Sequence, residues 1–123
     1  MLPLEILKSF AEELYRFTLG RSEYERVKEK AFKVSKLLFE IGSKDNRFKK
    51  TIRREGIENC EQLSEIIVRV SLDYAEFKLK HQKTHGRIFE YSLKSLFKDM
   101  SRYVKERFGE NLGRLMGYLT KLI

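Results

Sequence analysis

An all-α fold is predicted by three features of this chain. Apolar residues recur at three- and four-residue spacing along most of its length, the one proline is Pro3, and the glycines fall mostly between the periodic stretches. Such spacing lines one face of a helix, and proline in a first turn removes no intrahelical hydrogen bond. Four principal amphipathic helices joined by short connections bury their stripes most simply as an antiparallel four-helix bundle. One domain spanning residues 1–123 is expected, with a short extra basic helix or loop between the second and third main helices.

The first helix, from about Pro3 to Leu19, carries Leu7, Phe10, Leu14 and Phe17 on one face, and Gly20 interrupts it. The second opens with Ser22-Glu23-Tyr24-Glu25, the pattern of a capping box, and its stripe is Val27, Ala31, Val34, Leu38 and Ile41. In the basic segment that follows, Phe48 and Ile52 lie four residues apart, a spacing that seats a short helix on the bundle and turns its cations outward. Phe48 is then an anchor. Asn59-Cys60-Glu61-Gln62 is a second cap, with Cys60 packing inward as a helix-start residue. It leads into a long helix with Leu63, Ile67, Val70, Tyr74 and Phe77 on its apolar face and Arg69, Asp73, Glu76, Lys80 and Lys83 opposite. The last stretch runs through Phe89, Leu93, Leu96, Met100 and Tyr103 to Phe108, Leu112, Leu115, Leu119 and Leu122. Its stripe stays in register across Gly109, where a kink or a break is expected. Gly113 and Gly117, four apart, each cost about 1 kcal/mol relative to alanine in a helix interior, which predicts a close helix–helix approach.

Composition bounds the function. With 41% hydrophobic residues, nine Phe and six Tyr, the chain is too apolar for a disordered basic tail. A net charge of +8 favours nucleic acid or an acidic surface as partner. The single cysteine, Cys60, permits no internal disulfide, and the longest aliphatic run is Ile66-Ile67-Val68, so a cytoplasmic protein with no membrane span is expected.

The charge is concentrated. KDNRFKKTIRR contains Lys44, Arg47, Lys49, Lys50, Arg53 and Arg54 with one acid, and KLKHQKTHGR contains Lys78, Lys80, Lys83 and Arg87 with none. Clustered cations of this kind neutralise phosphates and release counterions, so these ten residues are the candidate nucleic-acid contacts. Two such runs at helix ends can form one patch. Lys94, Lys98, Arg102 and Lys105 also share a helical face, but Asp99 and Glu106 flank them, and a solvated face is the expected reading. His81 and His85 stand at the i, i+4 spacing of helical metal ligands, yet the cations around them repel a metal and no metal site is expected. There is no phosphate-cradling glycine loop, nucleophile elbow or distinctive carboxylate pair. A non-catalytic protein without a cofactor follows.

The stretch Arg16-Phe17-Thr18-Leu19-Gly20, the helix containing AFKVSKLLFEI from Ala31 to Ile41, and Phe89-Glu90-Tyr91-Ser92 leading toward Arg102 resemble a four-helix-bundle family. It includes the accessory variability determinant, Avd, of diversity-generating retroelements and the bundle proteins encoded in ribosomal RNA intervening sequences. The terminal GRLMGYLTK is similar to the end of that family's last helix. The resemblance implies a basic homo-oligomer, usually a pentamer, that binds nucleic acid and a reverse transcriptase. A second likeness, in Ile52-Arg53 and VRVSLDYA from Val68 to Ala75, is to the small helical subunit of type III CRISPR effector complexes, which implies a ribonucleoprotein partner. A structural oligomerisation module is the third alternative and needs no nucleic acid.

Overall fold

The computed structural model describes residues 3–81 and 92–123, and its regular elements are all helical. They are α1 (Pro3–Thr18), α2 (Tyr24–Gly42), α3 (Asn46–Arg54), α4 (Cys60–His81), α5 (Leu93–Phe108) and α6 (Glu110–Gly117), followed by a 3-10 turn, Tyr118–Leu122. The expected all-α class is present, and the basic segment is a helix. α1, α2 and α4 pack on one another, α5 lies along α4, and α6 packs on both α5 and α3.

The apolar stripes build the core. Leu14, Val34, Leu38, Ile67, Val70, Tyr74, Leu96 and Leu115 are buried, and Leu93 is partly so. Phe89 lies outside the described residues, and among those described two stripe residues are exposed, Ile41 at 48% and Phe77 at 38%. Both stand near the C-terminal ends of their helices, and Phe77 has the rings of Tyr103 and His81 as neighbours instead, at 4.7 and 4.3 Å.

The capping box expected at Ser22 does not form. α2 starts one residue later, with Glu23 in the cap position making no side-chain bond to the helix. Ser22 Oγ instead donates to a carboxylate oxygen of Glu13 at 2.7 Å. Glu13 is only 6% exposed on α1, and a buried carboxylate must have a partner. The second cap does form: Asn59 Oδ1 accepts from the Gln62 amide at 2.9 Å, and Gln62 Oε1 accepts from the Glu58 amide at 2.6 Å.

Gly109 breaks the last stretch outright. At φ +107° it holds a conformation that side-chain-bearing residues rarely adopt, and the chain doubles back so that α6 runs against α5. The close approach expected from the terminal glycines is therefore made within the chain. A Cβ at Gly113 would lie 2.8 Å from Lys105 Cα, and the Gly113 carbonyl accepts from Ser101 Oγ at 2.7 Å.

A reciprocal clamp holds α4 to α5. Tyr74 OH donates to Asp99 Oδ2 at 2.7 Å, and Lys78 Nζ meets the same oxygen at 2.7 Å. In the other direction, Tyr103 OH and Arg107 Nε both reach Asp73 Oδ2 at 2.6 Å. In each half, a tyrosine and a cation one turn beyond it grip the aspartate of the facing helix. The two tyrosine rings meet edge to face, 5.6 Å between centroids.

Candidate nucleic-acid interface

α3 exists because both its ends are satisfied and its apolar side has somewhere to go. Asp45 caps it, accepting from the Arg47 amide at 2.8 Å and the Phe48 amide at 3.4 Å. At the other end Gly56, at φ +67°, lets the Gly56 amide reach Arg53 O at 3.1 Å and the Ile57 amide reach Ile52 O at 3.0 Å. That is a Schellman ending, with Ile52 and Ile57 both buried behind it. Phe48, 1% exposed, anchors the helix: its ring meets Phe39 and Tyr118 edge on, and a Cβ at Gly42 would collide with it. Asn111 Nδ2 ties α6 to the end of α3, donating to Thr51 O at 3.1 Å and Glu55 Oε1 at 2.8 Å.

The tie leaves a groove of about 550 Å³ between α3 and the C-terminal segment. Arg47, Lys50, Thr51 and Arg54 line one side; Arg114, Gly117, Tyr118 and Lys121 line the other. Five cations face this space and, among the described residues, no carboxylate lines it. Among the described residues the α3 cations make no ion pair. Arg114 meets Glu110 at 3.0 Å in an exposed pair, an arrangement of little energetic weight. Lys121 Nζ lies 4.5 Å from the centroid of the Tyr118 ring. Burial, followed by the charge of Asp45, pushes the Tyr118 phenol above its ordinary value of 10.0. Tyr118 thus presents a neutral hydroxyl at neutral pH.

The ten candidate contacts divide. Arg47, Lys50 and Arg54 line the groove, whereas Lys44, Lys49 and Arg53 are exposed outside its lining. Lys78 is held by Asp99, and Lys80 is exposed near the far end of α4. Lys83 and Arg87 lie outside the described residues. Of the second run, neither Lys78 nor Lys80 lines the groove. His81 Nδ1 lies 2.9 Å from Phe77 O, and His85 is outside the described residues. Cys60 is the first residue of α4 and partly buried.

Arg114 and Lys121 were not singled out by sequence reasoning, because they reach α3 only through the reversal at Gly109. A signal was present in their spacing: they are seven residues apart, as are Arg47 and Arg54, so each pair falls on one side of its own segment. The fold and groove define an all-α protein with a cationic cleft. Compared with known protein families, curated proteins and solved structures, the chain matches none.

Proposed function

We propose that this protein is a non-catalytic, basic accessory protein that binds nucleic acid through phosphate contacts centred on the groove between α3 and α6. The observation that carries the reading is the convergence of five cations from two distant parts of the chain on one cleft whose lining, among the described residues, holds no acid. Guanidinium groups suit phosphate because their planar donors match its oxygens in pairs. The resemblance to the Avd family adds a reverse transcriptase as working partner and a homo-oligomer as the working form. The likeness to the CRISPR small subunit would put a guide RNA in the same cleft.

The test is affinity for a structured RNA and a duplex DNA, measured at several salt concentrations. Binding is expected to weaken as salt rises, with a slope set by the phosphates neutralised. The variant R47E/K50E/R54E should lose most of its affinity while remaining folded, because all three residues are exposed. The control K94E/K98E should lose less. If the wild type binds neither ligand at low salt, or the triple variant binds as well as wild type, the structural-module alternative takes the place of this reading.

A further inference from the structure

We infer that the groove takes a single-stranded segment of nucleic acid, about three phosphates long, with one base laid on the Tyr118 ring. This rests on the phosphate-binding reading above and narrows it to a ligand class.

Groove length sets the number of phosphates. Arg47, Lys50 and Arg54 form one rail along α3, and Arg114 and Lys121 form the other. Seven helical residues span about 10 Å, which at the stacked-strand spacing of about 3.4 Å corresponds to about three phosphates.

The floor selects for an unpaired strand. Tyr118 lines the groove, fixed by the Phe48 ring edge on at 5.2 Å, and beside it Gly117 contributes no side chain to fill the space. Lys121 is exposed and, like Tyr118, lines the groove, with its ammonium 4.5 Å from the ring centroid, which makes the ring face beneath it the candidate seat for a base. An ammonium over a ring at an exposed site is weakly held, and a phosphate entering the rails draws it away. The uncovered face is then free for a base. A duplex cannot use it, because its bases are paired and stacked on each other and only its phosphates face outward. A single strand can put its backbone between the rails and a base on the floor, the arrangement by which non-specific single-strand binders gain affinity.

The experiment compares three ligands of about ten nucleotides: an unstructured single-stranded DNA, its duplex, and an abasic chain with the same phosphates. The unmodified protein should bind the single strand most tightly, with a logarithmic salt slope of about −2. The abasic chain should bind at least about fivefold more weakly, the loss expected for one stacked base. Y118L should lower affinity for the single strand more than for the abasic chain and so narrow the gap between them. R114Q/K121Q, at exposed positions, should weaken both. Because Tyr118 also packs on Phe48, the abasic comparison on unmodified protein decides the matter even if Y118L folds poorly. Equal affinity for base-bearing and abasic chains, or for single strand and duplex, overturns the inference and leaves the phosphate reading standing. Failure to bind any of the three at low salt removes the phosphate reading itself.

Discussion

Two interfaces in this molecule are built from the same residue types and have opposite electrostatic outcomes. Between α4 and α5, Lys78 and Arg107 each meet an aspartate that also accepts a tyrosine hydroxyl. Between α3 and α6, Arg47, Lys50, Arg54 and Lys121 line a groove with Tyr118 and make no ion pair among the described residues. Even the smaller cleft by the clamp, which holds Lys78, Lys98 and Arg102, has Asp99 among them. A cation matched inside the fold contributes to register and stability, and its field is cancelled at short range. Unmatched cations projecting from a helix anchored by apolar side chains keep their field for a ligand. The count of Lys and Arg in a stretch therefore says less about its electrostatic field than the count left unpaired.

The largest effect that would sharpen the comparison is on Phe48, which holds α3 and through it one wall of the groove. Phe48→Ala should destabilise the protein by about 3–5 kcal/mol, the usual cost of removing a buried aromatic ring. Nucleic-acid affinity should fall under conditions where the variant is still folded, since the α3 rail is no longer fixed against Tyr118. Denaturant unfolding and a binding titration on the same preparation provide both numbers. Normal stability would show that the ring is not the anchor its burial indicates.

The clamp should behave differently. A double-mutant cycle with Tyr103→Phe and Asp73→Ala should return a coupling of about 1 kcal/mol or somewhat more for this hydrogen bond to a charged group. Affinity for nucleic acid should remain at the wild-type value. If Tyr103→Phe weakens binding as much as the groove variants do, the two interfaces are not separate and the comparison breaks.

Much of this was legible in the sequence, and the parts that were not share one cause. The stripes found the core because helical spacing alone decides which side chains can turn inward. Phe48 and Ile52 revealed a seated α3 for the same reason, and Asn59 with Gln62 revealed a cap whose members are neighbours in sequence. What stayed hidden depends on residues far apart in the chain. Lys78 reads as part of an acid-free run until Asp99, on the next helix, is seen against it. Ser22 reads as a cap until Glu13 claims its hydroxyl. Arg114 and Lys121 join the site only after Gly109 turns the chain back. In each case a local signal was overridden or completed by a tertiary partner.

The smallest effect expected is the pH dependence of the clamp, and it acts at both ends of the scale. Burial works to raise the Asp99 carboxyl, but hydrogen bonds from Lys78 and Tyr74 and the charges of Lys78 and Arg102 outweigh it and hold the group below its ordinary 3.8. Its contribution is therefore present above pH 3.8 and is lost as pH falls through the lower folded value. The Asp99 side chain is 38% exposed, so solvent screening keeps this acid limb below about 1 kcal/mol. Tyr103 has the opposite sign: burial first, then the hydrogen bond and charge of Asp73, push its phenol up from 10.0 to about 12. That contribution is complete below pH 10 and disappears as pH rises through about 12. Denaturation midpoints measured against pH should show both limbs in the wild type, with Asp99→Asn flattening the acid one and Tyr103→Phe reducing the alkaline one. Part of the alkaline limb should survive in Tyr103→Phe, because the Tyr118 phenol in the groove is raised as well. If the Tyr103→Phe profile superimposes on wild type above pH 10, the hydroxyl does not hold Asp73 in solution, and that half of the clamp rests on the Arg107 ion pair alone.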